Sequence, residues 1–276
     1  MMRLRIAALV AVATPLLAVA VPAQADAGTA ALLDKAIAGS HRSEANRARD
    51  AYRHPKETLL FFGLKPEMTV VEISPGGGWY SEILGPVLKD KGRYVAAHND
   101  PAGSAGAQKS RAAFVERVEA NPDVFGKPVV SSFGKGIEGH IAAPGSADMV
   151  LTFRNVHNWR GAGFAEEAFK AFYAALKPGG VLGVVEHRLP EGRADDEASL
   201  RSGYVKQSEV IRLAQAAGFR LDKASEVNAN PRDTADHEKG VWTLPPTYAL
   251  GDTDRAKYAA IGESDRMTLR FVKPAK

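Results

Sequence analysis

The chain has 276 residues, of which 45% are apolar and 25% are charged, a balance typical of a globular protein with one sizeable core. Its formal net charge is +4, and two of those charges come from Arg3 and Arg5 near the N-terminus. Positive charge this weak and this scattered does not favour a nucleic-acid partner. The sequence contains no cysteine, which excludes disulfides and thiolate metal sites.

The first 25 residues have the pattern of a secretory signal peptide. Two arginines precede an uncharged apolar stretch at 6–21, and Ala23 and Ala25 form a small-x-small cleavage signature. The sequence predicts cleavage after Ala25 and a periplasmic or secreted mature protein that is not stably inserted in a membrane. An uncleaved anchor is the alternative, although the apolar stretch is short for a bilayer span and contains Pro15.

Residues 26–276 are predicted to form one α/β domain that begins with a charged helical extension at 26–58. The β-branched run at 70–73 is typical of a buried first strand. Helix and strand patterns then alternate, with short connections, as far as a strand that begins at Phe219. This alternation predicts a mostly parallel sheet with helices on both faces. The final strand, 267–272, follows a long polar stretch and is expected to insert antiparallel.

The loop after the first strand carries the pattern most closely related to function. It reads Glu-Ile-Ser-Pro-Gly-Gly-Gly-Trp-Tyr from Glu72 to Tyr80. Three consecutive glycines, Gly76, Gly77 and Gly78, are costly to order unless the backbone adopts unusual dihedral angles or approaches a ligand closely. Ligands of parallel sheets bind beyond the carboxyl ends of the strands, so the loop predicts a binding site. A tight strand-to-helix turn without a ligand is the alternative.

The spacing of these glycines distinguishes between a dinucleotide site and a second class of cofactor site. It is not the dinucleotide fingerprint Gly-x-Gly-x-x-Gly, because bulky aromatic residues follow the third glycine. It resembles motif I of class I S-adenosylmethionine-dependent methyltransferases, acidic-x-Gly-x-Gly-x-Gly. Glu72, Gly76 and Gly78 match that motif, and Ser74 stands at its first glycine.

The resemblance covers about 49–274 and includes the segments 49–55, 154–159 and 177–180, which look like those of a group of predicted bacterial methyltransferases with an N-terminal extension. It implies a Rossmann-like, seven-stranded sheet with an antiparallel last strand. It also implies S-adenosylmethionine as cofactor and methyl transfer to an unidentified small-molecule acceptor. In that family the loop wraps the amino-acid end of the cofactor, which implies cofactor-binding roles for Glu72, Ser74, Gly76, Gly77, Gly78 and Tyr80.

The sequence departs from the family pattern at two places. Family members usually carry an acidic residue at the end of the second strand, where it holds the ribose hydroxyls. Here His98 occupies that place and Asp100 follows two residues later, so these two are the candidates for the contact. The acidic residue near the adenine is also missing, and Phe133 offers a ring instead. One lost hydrogen bond to a charged group weakens binding about tenfold to a hundredfold, so we expect a weakened cofactor site.

The segment after the fourth strand supplies the catalytic candidates, because such folds direct acceptor-facing groups from there. His157 is the candidate general base, and Asn155 and Arg154 are the candidate orienting groups. A packed or surface histidine is the alternative for His157. Trp79 or Tyr80 is a candidate to present a ring to the sulfonium, with packing between helix and sheet as the alternative.

Two rival functions stay open. An exported small-molecule-binding protein that keeps the fold without catalysis is favoured by Ser74 and His98, and by the cytoplasmic origin of S-adenosylmethionine. A dinucleotide-dependent oxidoreductase is disfavoured by the loop spacing. No metal site is predicted, because the seven histidines include no His-x-x-x-His pair.

Overall fold

The computed structural model describes residues 27–136 and 141–275, so the predicted signal peptide lies outside the described residues. The strands are β1 (Thr69–Ile73), β2 (Arg93–Asn99), β3 (Val129–Phe133), β4 (Ala147–Phe153), β5 (Leu176–Leu189), β6 (Val205–Lys206), β7 (Arg220–Ser225) and β8 (Arg266–Val272). The helices are α1 (Ala27–Ile37), α2 (Glu44–Arg47), α3 (Asp50–Arg53), α4 (Pro55–Phe62), α5 (Ser81–Leu88), α6 (Ala105–Glu119), α7 (Pro122–Phe125), α8 (Val156–Gly161), α9 (Ala165–Ala175), α10 (Glu197–Ser202), α11 (Gln207–Ala216), a 3-10 turn (Gly240–Thr243) and α12 (Arg255–Ile261).

Seven strands form a continuous sheet in the order β3-β2-β1-β4-β5-β8-β7. The first five in this row run parallel, and β8 is antiparallel to both β5 and β7. The two-residue β6 pairs with the end of β5. These observations confirm the predicted Rossmann-like sheet with an antiparallel last strand. Because the chain moves outward from β1 in one direction and returns to its other side with β4, the switch point of the topology lies between β1 and β4.

Helices cover both faces of the sheet, and side chains of β1 alternate between the two cores. Val71 and Ile73 belong to the cluster that contains residues of α8, α9 and α11. Val70 belongs to the cluster formed with α1, α4, α5 and α6. Since successive side chains of a strand point to opposite faces, Glu72 shares the second face with Val70 and is directed toward α5.

The N-terminal extension is integral to the second core. Leu33 of α1 is fully buried in it. Farther along, the buried Arg42 donates to both carboxylate oxygens of Asp50 at 2.7 Å, and its Nε lies 3.8 Å from Glu82 of α5. The extension is thus fastened to α5, the helix that follows the glycine loop. No helix within 27–136 or 141–275 is long and apolar enough to cross a membrane.

We expect Leu33→Ala to lower the free energy of unfolding by about 2 to 5 kcal/mol, because it leaves a cavity in a closed core. The neighbouring Leu32 is 37% exposed, so Leu32→Ala is the matched control and should change stability by less than about 0.5 kcal/mol. Urea denaturation followed by circular dichroism measures both. Equal effects of the two substitutions would contradict the role assigned to the extension.

Candidate functional site

A cavity of about 320 Å³ opens where β1 and β4 end, at the switch point of the sheet. We call it the β1–β4 cavity. Its walls come from Asn46, Arg49 and Arg53 of the N-terminal extension, from the glycine loop, and from residues 153–155 after β4. The extension and the sheet therefore share one concave site, which is where open parallel sheets bind their ligands.

The three glycines of the loop have different roles. A methyl group placed on Gly76 or Gly77 would meet no described atom within 4 Å, so this face of the loop is open to the cavity. Gly76 also has a φ of 58°, which favours glycine. A methyl group on Gly78 would collide with Arg117 and lie 3.1 Å from Phe114. Gly76 and Gly77 thus permit close approach of a ligand, whereas Gly78 permits the packing of α6 against the loop.

Ser74 takes the place of the motif's first glycine and keeps a glycine-like backbone, with a φ of 49°. Its N–H donates to the carbonyl of Ala97 at 2.8 Å, and its hydroxyl donates to Oδ1 of Asn99 at 2.7 Å. Both contacts join the loop to the end of β2. A non-glycine residue in the left-handed region costs free energy, and here these hydrogen bonds offset the cost.

Glu72 lies behind the loop and is 2% exposed, although it also borders the cavity. Its Oε2 accepts hydrogen bonds from the hydroxyl of Tyr94 at 2.6 Å and from the hydroxyl of Ser81 at 2.9 Å. Burial raises the pKa of Glu72 to about 7, against the opposing effect of these two hydrogen bonds. The acidic residue of the motif therefore couples β1, β2 and the start of α5.

The end of β2 differs from the sequence-based expectation in which side chain reaches the loop. His98 is fully buried beneath it, with Nε2 3.4 Å from the carbonyl of Gly76, and burial lowers its pKa. Asp100 accepts from the N–H of Ala102 at 3.1 Å. His98, Asn99 and Asp100 do not line the cavity, but the exposed Asn99 contacts Ser74, which does. The sequence analysis missed Asn99, and the strict alternation of side chains along β2 is the signal that identifies it.

Two of the three catalytic candidates lie on the cavity wall. Arg154 follows β4 with a φ of 61°, and Asn155 is next to it. The amide of Asn155 donates to the carbonyl of Ile73 at 3.1 Å and to the hydroxyl of Thr152 at 3.3 Å, which ties the ends of β1 and β4 together. His157 is not among the lining residues and lies in the first turn of α8.

His157 is paired with Glu186, a fully buried residue of β5 that the sequence analysis missed. The distance from Nδ1 of His157 to Oε1 of Glu186 is 3.0 Å. The same carboxylate accepts the backbone N–H groups of Val156, His157 and His187 at 2.5, 3.3 and 2.8 Å. A carboxylate surrounded by donors assigns the proton of His157 to Nδ1 and leaves the lone pair on Nε2.

His187 completes a group of three side chains whose potential metal-ligating atoms lie within 4.8 Å of one another, with His157 and Glu186. Burial lowers the pKa of His187 well below its usual value, and the charge of His157 adds to the effect. Since the Glu186 carboxylate already accepts three backbone N–H groups, the geometry favours a role in orienting His157 over one as a metal ligand.

The aromatic residues of the loop are already engaged by other side chains. The guanidinium carbons of Arg42 and Arg53 lie 5.0 and 4.6 Å from the ring centre of Trp79. Tyr80 stacks on Phe153, with 3.5 Å between ring centres. The packing alternative weighed for Trp79 and Tyr80 is therefore what the structure shows, although both rings also border the cavity.

The buried carboxylate of Glu263 forms ion pairs with two arginines of the cavity wall, Arg49 and Arg53, and with the buried Arg266. Its oxygens lie 2.5 Å from Nε of Arg49, 3.3 Å from Nε of Arg53 and 3.0 Å from Nη2 of Arg266. Burial would raise the pKa of Glu263, but the three arginines outweigh it and hold the pKa at about 2. Glu263 is thus ionised at neutral pH, and it joins α3 to the start of β8.

No protein-family model matches the sequence, and no curated protein sequence matches it. Solved structures share its fold. A methyltransferase dependent on S-adenosylmethionine, from Aquifex aeolicus, superposes with a TM-score of 0.54 at 15% identity, over 82% of this chain and 93% of that one. The [4+2]-cyclase SpnF gives 0.54 at 16% identity, over 90% and 93% of the two chains.

Phosphoethanolamine N-methyltransferase 2 from Haemonchus contortus, solved with S-adenosylmethionine, gives 0.54 at 16% identity and covers 88% of this chain and 60% of that one. At such identities the likeness shows the fold, which is that of the methyltransferases named. Because a cyclase shares it, the chemistry has to be argued from the cavity itself.

We expect Glu72→Gln to change how stability depends on pH. The pKa of Glu72 is about 7 in the folded protein and near 4.5 in the unfolded chain, so the folded state keeps a proton that the unfolded state loses. Its contribution to stability therefore falls as the pH rises from 4.5 through 7. The free energy of unfolding of Glu72→Gln, relative to the native protein, should increase by about 2 to 3 kcal/mol between pH 5 and pH 8.

Urea denaturation at both pH values measures this difference. The exposed Glu119 provides the control, because Glu119→Gln should leave the pH dependence of the native protein unchanged. If the free energy of unfolding of both variants depends on pH as that of the native protein does, the raised pKa assigned to Glu72 is wrong.

Proposed function

We propose that this protein binds S-adenosylmethionine in the β1–β4 cavity and transfers the methyl group to a small-molecule acceptor. The observation that carries the proposal is the open face of the glycine loop at the switch point of the sheet. Gly76 and Gly77 leave space for a ligand, and their backbone N–H groups have no acceptor among residues 27–136 and 141–275. Successive free N–H groups in such a turn suit an anionic group.

The residues of the cavity fit the amino-acid end of this cofactor. The N–H groups of Gly76 and Gly77 are placed to receive its carboxylate. Asn99, the last residue of β2, and Asp100, which follows it, are proposed for the ribose hydroxyls. The remaining cofactor candidates act on the loop itself: they shape its ends or support it from below, and they are Glu72, Ser74, Gly78, Tyr80 and His98.

When bound, the cofactor supplies a methyl group attached to a positively charged sulfur. The chemistry it would supply is the transfer of this methyl group to a lone pair of the acceptor, with the sulfonium sulfur as the leaving group. Asn155 and Arg154 orient the acceptor from the turn after β4. Glu186 fixes the proton of His157 on Nδ1 and leaves the lone pair on Nε2, but His157 does not line the cavity, so it serves as general base only for an acceptor that extends from the cavity to α8.

Isothermal titration of the protein with S-adenosylmethionine and with S-adenosylhomocysteine tests the proposal, and we expect dissociation constants in the micromolar range. Gly77→Leu should weaken both by at least about tenfold. Its φ is not in the left-handed region, so the new side chain enters the cavity without straining the backbone. Gly192 has the same freedom in an exposed turn away from the cavity, which makes Gly192→Leu the control.

Both variants should keep the circular dichroism spectrum and the melting temperature of the native protein. If the native protein shows no heat and no competition up to millimolar ligand, methyl transfer is ruled out and the small-molecule-binding alternative becomes the better account.

We also propose that the protein acts after export, in the periplasm or outside the cell. This proposal rests on the sequence of residues 1–25 and requires a supply of the cofactor outside the cytoplasm. Expression of the full chain in a bacterial host should yield an exported form that begins at Asp26, as read by intact mass and N-terminal sequencing. Ala25→Glu should block processing, because the cleavage site requires a small residue. A native chain that keeps residues 1–25 in the cytoplasmic fraction would contradict export.

A further inference from the structure

Three arginines line the β1–β4 cavity, and the buried Arg266 lies close to them without lining it. Arg49, Arg53 and Arg266 form ion pairs with Glu263, and Arg154 stands close enough for their charges to act on it. We call Arg49, Arg53, Arg154 and Arg266 the arginine cluster. Glu263 offsets only one of these four positive charges, so the cluster keeps a net positive charge; Arg53 and Arg266 are buried, and Arg49 and Arg154 are half-buried.

Burial and the neighbouring positive charges of the cluster lower the pKa of Arg53 and of Arg154. Burial lowers the pKa of Arg154 to about 10, and the charge of Arg266 contributes to the shift. Burial also lowers the pKa of Arg53 well below its usual value, and the charge of Arg154 contributes there. Buried like charges are unfavourable unless anions balance them. Two carboxylates act on this cluster: the ionised Glu263, and the buried Glu72, which is only partly ionised at neutral pH because its pKa is about 7. The cluster therefore keeps an excess of positive charge beside the cavity.

Two of these side chains keep a free donor. Nη1 of Arg53 and Nη1 of Arg154 are buried and have no hydrogen-bond partner among the described residues, and both arginines line the cavity. Arg160 also has a buried, unpaired Nη1, but its guanidinium is paired with Asp195 at 2.9 Å and it lies outside the cavity. The feature particular to Arg53 and Arg154 is therefore a free donor combined with uncompensated charge beside a ligand site.

The proposed cofactor does not supply the negative charge that would balance the arginine cluster. S-adenosylmethionine carries one carboxylate, one ammonium and one sulfonium, so its net charge is +1, and it adds to the positive charge of the cavity. In the proposed binding mode its single carboxylate is received by the backbone N–H groups of Gly76 and Gly77, which have no acceptor among the described residues. An anion has to come from the second ligand.

We infer that the methyl acceptor is a small molecule with an oxyanion, a carboxylate or a phosphate, which Arg53 and Arg154 bind in the β1–β4 cavity. This inference rests on the proposed function and names the substrate class for it. Arginine suits the role because its planar guanidinium donates two parallel hydrogen bonds to such a group. The turn after β4 and the N-terminal extension then hold the acceptor jointly.

Inorganic phosphate is the probe for the oxyanion, titrated at constant ionic strength and read by isothermal titration and by the melting temperature. The native protein should bind it and melt at a higher temperature. Arg154→Met keeps the length of the side chain and removes the donors, so it should weaken phosphate binding by about tenfold to a hundredfold. Arg160→Met should bind phosphate as the native protein does. Equal phosphate binding by native protein and Arg154→Met, or none by the native protein, would overturn the inference.

Competition between phosphate and S-adenosylhomocysteine in the native protein shows whether the arginines bind the acceptor or the cofactor. It needs no variant, so it tests the inference even if Arg154→Met fails to fold. If the arginines hold the acceptor, saturating phosphate should leave the affinity for S-adenosylhomocysteine unchanged or improved. If phosphate displaces S-adenosylhomocysteine, the arginines hold the cofactor's own carboxylate and the inference is overturned. Phosphate binding that depends on Arg154, with no binding of S-adenosylhomocysteine, would support the oxyanion site while removing methyl transfer as its purpose.

Discussion

The carboxylate of Glu263 connects parts of the chain that are far apart in sequence at the wall of the cavity. Arg49 and Arg53, more than two hundred residues earlier, reach it from the N-cap and the last residue of α3, and Arg266 reaches it from the start of β8. Without that carboxylate, buried guanidinium groups would face one another with no anion between them, which is the costly way to break a buried ion pair. Glu263 therefore helps to anchor the extension at the place where the extension forms one wall of the cavity.

The turns that border the cavity contain residues with strained backbone angles, and contacts around the site offset that strain. Ser74 and Arg154 both adopt left-handed backbone angles at the ends of neighbouring strands, where glycine would be unstrained. Each is held by its surroundings: Ser74 by Ala97 and Asn99, and the turn after β4 by the amide of Asn155. Non-glycine residues with left-handed backbone angles thus occur at the two turns that border the cavity. Strained backbone of this kind is common at binding sites, where it holds the loops in one fixed conformation.

Much of the fold was predictable from the sequence because the signals are local. Alternating helix and strand patterns with short connections predict a parallel sheet, and a run of three glycines after a buried strand marks the binding loop without knowledge of any distant contact. The antiparallel position of β8 followed from a strand pattern arriving with no helix before it. By contrast, the short helices within the polar stretch before β8 carry no period that the sequence reveals.

The chemistry of the site was less predictable, because its important contacts are long-range. Glu263 and Glu186 are single carboxylates whose partners cannot be read from neighbouring residues. Glu186 did carry a signal: a charged residue at the end of an apolar strand is costly to bury unless it is paired. His98 was assigned to the ribose because the family places an acidic residue there, whereas the strand continues one residue farther and turns Asn99 outward.

The charge of the cavity also bears on how its two proposed ligands meet. The net positive charge of the arginine cluster disfavours a cationic cofactor beside it, and an anionic acceptor would offset both the charge of the cluster and that of the cofactor. The acceptor should therefore improve the affinity for the cofactor, and by reciprocity the cofactor should improve the affinity for the acceptor. Methyl transfer then removes the sulfonium charge, and with it the attraction that held the pair together. Because methyltransferases and a cyclase share this fold, the fold does not determine the reaction, and the charge of the cavity is the feature on which the proposed pair of ligands depends.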